Sequence, residues 1–440
     1  METKIPGPNF RESVKYLFRI FNEERSYVYQ ELAQKYGDVV TLKLPVKIVF
    51  LFNPKDIGII LMGNHLKVRK SKSYKYFFPL IGKGLVTAEG LAWKKQRSFA
   101  SPHFSKKSTD TKLPLMVNKT KELVSRISSE IDKGSSEFDT LELLGNHTFS
   151  IITQALFDFS AGENEKKIQK HAIKLEQTLV KRIFSLIKLP TYIPTAKNKE
   201  YNNGIEQLNN AVYSIIDSQL ESKSNSFLGS LIRSDFSKKI IRDEIVTYLI
   251  AGYETTNLAI NWTLILLCQN PDKLHRLTEE IQRVMSNDEL TIEKVNKLEY
   301  LKSVINEAMR IYPPVPFLSR ESVEDIELSN KYVLKKDSII ICSQFVTHRD
   351  ARYWPNPLEF KPDRFKDEKL IEKFTFFPFA EGPRKCIGAG FSKQEIICFF
   401  AYFIKDFEFS LADSDKIDHF SSITLKPDRK IALKIKKRIT

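Results

Sequence analysis

Residues 377–395 read FPFAEGPRKCIGAGFSKQE, and their one cysteine, Cys386, stands between a Gly-Pro-Arg-Lys turn and an apolar run, IICFFAYFI, that reads as a helix. Taken alone, a cysteine beside an apolar helix is a small buried hydrophobe. Its neighbours change that reading. Amides at a helix start can donate to a sulfur just ahead of them and favour the thiolate. Gly382, Gly388 and Gly390 leave room for a flat ligand to approach the backbone. Arg384, two residues before the sulfur, can pair with an anionic group on such a ligand.

The rest of the chain narrows the setting. With 440 residues, 42% hydrophobic and 28% charged, it can bury a large core, and no linker, low-complexity tract or repeat divides it, so one domain over residues 1–440 is expected. The four cysteines show no C-x-x-C pair and no zinc spacing. Cys386 and Cys398, if on one helix, would stand roughly 18 Å apart, too far to bridge. No apolar run approaches the ~18 to 20 residues of a membrane span, and the first residues lack a signal-peptide core, so a cytoplasmic protein is expected. The 69 Lys+Arg against 54 Asp+Glu leave +15, which favours acidic partners. Nucleic acid is not expected among them. The densest basic cluster, KPDRKIALKIKKRIT, alternates Ile431, Leu433 and Ile435 with Ala432, Lys434 and Lys436, the period of a strand with one wet face.

VVTLKL and KIVFLF read as a hairpin in a short strand-bearing start. Amphipathic helices then recur from about Asn53 to Met309, and strands return near YVLKKDSIIIC and at the C-terminus. The fold class is mainly α, an α+β chain. It lacks the β-α-β alternation of a doubly wound fold, and Gly388-Ala389-Gly390 is followed by Lys393 where a dinucleotide fingerprint needs glycine.

A thiolate in a glycine-rich loop beside an arginine suits an axial ligand to haem iron. Phe379-x-x-Gly382-x-Arg384-x-Cys386-x-Gly388 also resembles, at every fixed position, the cysteine loop of the haem-thiolate monooxygenases, the cytochromes P-450. The resemblance implies a helix-rich domain with smaller β-sheets and haem b held between a long central helix and the cysteine-loop helix. Four further segments agree in order. VINEAMRIYPPVP carries Glu307 and Arg310, a pair common on any helix surface, but YWPNPLEFKPDRF then supplies Arg364, which in the family closes a buried structural network with them. LAWKKQR places Trp93 and Arg97 on one helix face, where the family's pair reaches the haem propionates. Arg320, in FLSRES, stands at the position of another propionate-binding arginine.

YLIAGYETTNLAINW supplies the chemistry that the resemblance implies. Ala251 and Gly252 would leave a groove for dioxygen, Thr255 would organise proton-delivering water, and Glu254 would act as relay carboxylate. Tyr253 is expected to point away from the haem. The implied activity is insertion of one oxygen atom of O2 into an apolar, lipid-like molecule: a fatty acid, terpenoid or steroid. Its pocket would draw on residues 73–86, 182–195, the helix before Ala251, and residues 316–318. Electrons would come from NAD(P)H indirectly, through a separate ferredoxin, flavodoxin or flavin reductase docked on a basic face carrying Lys94, Lys95 and Lys385. A monomer is expected. The alternatives are a haem-binding sensor or an isomerase- or peroxygenase-type member, which need no Glu254–Thr255 pair. KIPGP resembles the segment that follows a membrane anchor in microsomal members, so a naturally anchor-free chain is expected, with a removed anchor as the alternative; FRESVKYLFRIF could still touch a membrane surface.

Overall fold

Ser237 accepts a hydrogen bond from the Ile240 amide and caps a 32-residue helix, Lys238–Gln269, the longest element of the molecule. This is a computed structural model that describes residues 4–158, 163–183, 190–221, 224–286, 289–329, 331–413 and 415–438, with backbone alone at 163–166. The long helix is buried over most of its length, polar residues such as Asp243, Glu254 and Asn261 included. Ile245, Val246 and Leu249 enter one core cluster, and Ala259, Ile260 and Leu264 enter another. Helices Thr140–Phe157, Glu299–Ile311 and Ala389–Asp406 pack against it.

The helix Thr140–Phe157 comes close because Gly252 lacks a side chain: a Cβ there would stand 2.0 Å from Ile152 Cδ1. Thr148 Oγ1 donates to the Tyr253 carbonyl at 3.0 Å and fixes the crossing. Gly252 therefore has a packing reason, apart from any groove.

The hairpin forms as expected, Val39–Leu42 against Ile48–Leu51. It extends into a five-stranded sheet: Ile339–Cys342 joins Ile48–Leu51 in parallel, then Leu318–Ser322 and Val68–Lys70 add antiparallel. Two helices precede the hairpin, Phe10–Asn22 and Arg25–Tyr36, where a purely strand-bearing start was expected. The first is set by a capping box of Asn9 and Glu12. Pro6, in KIPGP, accepts from the Thr41 amide at 2.9 Å and pins that segment to the sheet edge.

At the other end, strand Ala432–Lys437 lies between Glu137–Asp139 and Phe407–Leu411. Ile431, Leu433 and Ile435 are buried while Lys434 and Lys436 are exposed, so the basic cluster is the wet face of a strand. All four cysteines are free. Among the described residues no helix is long and apolar enough to cross a membrane.

Candidate active site

The cysteine loop is a tight structure in its own right. Ala380 donates to the Phe377 carbonyl at 2.9 Å, Lys385 to Gly382 at 3.0 Å, and Cys386 to Phe379 at 2.8 Å. Ala380 and Gly382 hold φ of 57° and 77°. Gly382 is there for the backbone, since a Cβ would stand 2.1 Å from the Leu61 carbonyl oxygen. It does not line the cavity, which corrects the expectation that it leaves room for a ligand. Gly388 does line it, and the helix proper begins one residue later, at Ala389. Burial pushes the Cys386 thiol up, opposed by the Gly388 amide, Arg97 and Lys385, which favour the thiolate.

Cys386 opens into a cavity whose far wall is the long helix. Ala251, Gly252 and Thr255 line that wall. Thr255 Oγ1 donates to the Ala251 carbonyl at 2.9 Å. Tyr253 turns the other way and packs edge-on to Phe149 at 5.7 Å. So does Glu254, which leaves the cavity wall and pairs with Lys426; sequence reasoning placed it beside Thr255 but not on the opposite side of the helix. Leu85, Val86, Ile152, Met309 and Leu318 add an apolar lining. The expected pocket segment 182–195 has residues 184–189 outside the described residues.

A cluster of cations sits at the cavity's edge. The Arg384 guanidinium lies 4.1 Å over the Trp93 ring and donates to the Ala88 carbonyl at 2.8 Å and to Glu89 at 2.5 Å. Lys70 reaches the cavity as well, its amine pushed well down by burial and by Arg320 and Arg384. Arg320 lines a small adjoining cavity with Arg384 and Glu89, rather than the main one, and donates to its neighbour Ser319's carbonyl at 2.9 Å. Lys70, Arg320 and Arg384 thus gather around one carboxylate, Glu89, so basic groups outnumber acids there. Lys70 and Glu89 were not singled out in the sequence, because a lysine inside VRKSKSYK has no distinguishing mark. Arg97 lines the cavity and donates to the Lys385 carbonyl at 2.8 Å.

Glu307, Arg310 and Arg364 come together. Arg310 donates from Nε and Nη2 to Glu307 at 2.7 and 2.9 Å, and Arg364 Nε donates to Glu307 at 3.2 Å. Arg310 Nη1 also donates to the His348 carbonyl at 2.8 Å. The His348 ring, held neutral by burial and the nearby arginines, accepts from the Phe377 amide at 3.0 Å. The buried pair is thereby wired to the first residue of the cysteine-loop stretch, and His348 is a link that no local sequence pattern announces. On the outer face, Lys95 pairs with Asp235 and Lys385 with Glu381, while Lys94 has no carboxylate partner among the described residues.

The family described as Cytochrome P450 matches residues 5–435. The chain is similar to Cytochrome P450 4V2 of Homo sapiens, 27% identical over 447 residues, 93% of this chain and 84% of that protein. It is 29% identical to a cytokinin hydroxylase of Arabidopsis thaliana over 373 residues, 81% of this chain and 72% of that one. Against Probable cytochrome P450 4s3 of Drosophila melanogaster the figures are 28% over 453 residues, 93% and 87%.

Proposed function

The chain belongs to the cytochrome P450 family and is a haem-dependent monooxygenase supplied with electrons by a redox partner; on that premise we propose that it hydroxylates an apolar, lipid-like substrate, with Cys386 as iron ligand and residues 1–440 as one catalytic domain. One observation carries this reading. The Cys386 sulfur and the Ala251–Thr255 wall face one cavity, and the remaining lining is largely aliphatic and aromatic.

The residues fit haem b. The space beside Gly388 is open, since a Cβ built there would meet only the Cys386 sulfur, at 4.0 Å. Carboxylate side groups would find Lys70, Arg320 and Arg384 gathered around the single acid Glu89, and would favour the charged form of the Lys70 amine. Arg97 would reach the group from the cavity edge, with Trp93 stacked behind Arg384. Phe379 and Gly388 would line its thiolate side, and Ala251 and Gly252 the opposite one.

When bound, the haem supplies reductive activation of dioxygen and transfer of one of its oxygen atoms to carbon. The chain supplies the rest. Cys386 would supply its sulfur, the Gly388 amide, Arg97 and Lys385 opposing the upward push of burial on its thiol. Thr255 holds proton-bearing water at its hydroxyl, which spends its own proton on the Ala251 carbonyl and so offers its lone pairs to water. Glu254 would act as the relay carboxylate. The apolar lining excludes other water. Phe10, Val14 and Phe18 remain exposed on the first helix beside Arg11 and Lys15, a face suited to peripheral contact with an anionic lipid surface.

Reduced under carbon monoxide, the protein is expected to give the red-shifted Soret band of a thiolate-ligated haem. A histidine-type band from intact protein would sink the assignment of Cys386. Substrate-induced spectral shifts with fatty acids, terpenoids or steroids, and none with polar molecules of the same size, are the expected result for the substrate class.

A further inference from the structure

Glu254 and Thr255 are neighbours on the long helix but look in opposite directions. Thr255 faces the cavity; Glu254 pairs with Lys426 of strand Leu425–Pro427. A second carboxyl meets the same lysine: Glu176, from helix Glu163–Ile183, has Oε1 3.5 Å from Lys426 Nζ and lies within hydrogen-bond reach of Glu254. Glu176 is 4% exposed and Glu254 8%. Two carboxylates on one ammonium would leave a net negative charge in the interior, and an uncompensated buried charge costs several kcal/mol. A single proton shared by the pair removes it.

Burial, together with Glu254, pushes the Glu176 acid up to about 8, so it is neutral at pH 7. Its Oε1 has no hydrogen-bond partner, as expected where acceptors outnumber donors. The groups acting on it are Glu254 from the long helix and Lys426 from the strand, with the Tyr253 phenol next to them.

We propose that Glu176 is the proton-holding partner of Glu254, with Lys426 positioning the two, so that the path to Thr255 is complete only while the helix Glu163–Ile183 rests on the long helix. This builds on the reading of Glu254 and Thr255 as the proton-delivering pair. The Glu176 O–H passes its proton to the Glu254 carboxylate, and the Lys426 ammonium keeps its ion pair by exchanging one carboxylate for the other. The cluster's charge does not change in that step. Glu254, now neutral, is released from the lysine and gives its proton to water at Thr255. Solvent then reloads Glu176 beside Lys426, whose side chain keeps 30% exposure. Glu176 acts through Glu254 and is a positioning residue.

The test uses the ferric holoprotein, each variant first verified by its thiolate carbon monoxide band. Infrared difference spectra across pH read protonated buried carboxyls directly. Glu176→Gln is expected to remove one acid carbonyl band that titrates near pH 8, and to raise several-fold the share of reducing equivalents lost as peroxide. Glu176→Asp should return both towards native. Glu244→Gln is the control, since the Glu244 acid is also pushed up to about 8 by burial but sits apart from the cluster; it should remove an acid band and leave coupling alone. Lys426→Gln adds an arm that keeps both carboxyls: without the cation the acid band should titrate at higher pH and coupling should fall. Native coupling in Glu176→Gln, no lost band, or an unmoved titration in Lys426→Gln would overturn the proposal. Thr255→Ala and Glu254→Gln separate the levels. If these too leave coupling intact, the relay reading itself fails; if they uncouple while Glu176→Gln does not, only the role of Glu176 falls.

Discussion

Two buried ionic clusters flank the cavity, and they are built on opposite principles. In the cluster of Glu307, Arg310 and Arg364, donors match acceptors: Glu307 takes two bonds from Arg310, one from Arg364 and one from the Lys361 amide at 2.9 Å. Arg310 spends its remaining donors on the carbonyls of His348 and Pro357, both at 2.8 Å, and of Glu359 at 3.4 Å. Glu307 and Arg310 are 0% exposed. In the cluster of Glu176, Glu254 and Lys426, one ammonium serves two carboxyls, an oxygen is left over, and the lysine reaches solvent. A saturated cluster has nothing to give away and acts as scaffold. One short of donors must hold a proton instead, and a proton so held can move.

The largest effect should come from breaking the saturated cluster. Glu307→Gln removes the charge that compensates a fully buried Arg310, and is expected to cost about 3–5 kcal/mol, because the guanidinium can neither deprotonate nor reach water. Denaturant unfolding measures the cost. Haem retention should fall with it, because Arg310 holds His348, whose ring accepts from Phe377 at the cysteine-loop stretch. A loss under about 1 kcal/mol, the range of exposed pairs, would erase the contrast between the two clusters.

The unsaturated cluster should respond less, and in a way that depends on pH. Lys426→Met leaves two buried carboxyls without their cation, so the Glu176 acid, which Lys426 holds down, titrates higher than in the native protein. An acid whose folded pKa lies above its unfolded value, 4.5 for a glutamate, contributes stability that is full below pH 4.5 and lost as pH rises through the folded value. Native Glu176 already behaves so, losing its contribution as pH passes about 8. Lys426→Met is therefore expected to match native stability near pH 5 and to fall behind it by about 1–3 kcal/mol at pH 9. A deficit of the same size at both pH values would mean that Lys426 acts through packing alone.

The two clusters also differ in how they can be read from sequence. Glu307 and Arg310 lie on one helix turn, and the Pro313-Pro314 and Arg364 segments follow at a recognisable distance, so resemblance brings all three to notice. Glu176 and Lys426 are 250 positions apart, with no local pattern around either. Only the packing of three elements joins them. The same limit applies at the cavity's edge, where Lys70, Glu89 and Arg384 come from separate segments. The cysteine loop was legible because its residues obey backbone rules within ten positions, although Gly382 serves Leu61 and a φ of 77° and not a ligand. The opening helices were not read from the sequence, although Asn9 and Glu12 form a capping box there, because the neighbouring hairpin gave the stronger signal. Glu254 shows the remaining gap: its adjacency to Thr255 is plain in the sequence, but the direction it faces is set by Lys426.

The smallest effects belong to ion pairs that are neither saturated nor buried. Lys95 and Asp235 are 53% and 76% exposed, Lys385 and Glu381 47% and 30%. Water already solvates such charges, so Lys95→Ala and Lys385→Ala should each change unfolding free energy by less than about 1 kcal/mol. Their proposed consequence is for electron delivery. A lysine bound to its own carboxylate contributes little net field to an approaching acidic protein, whereas Lys94, with no carboxylate partner among the described residues, contributes its full charge. If the redox partner is an acidic ferredoxin docking here, Lys94→Glu should slow first electron transfer at low salt more than Lys95→Glu or Lys385→Glu does. The three rates should converge as added salt shortens the Debye length below ~10 Å. Native rates for Lys94→Glu at low salt would take the docking face elsewhere, and a Lys95→Glu effect equal to that of Lys94→Glu would show that the Asp235 pair opens when the partner arrives.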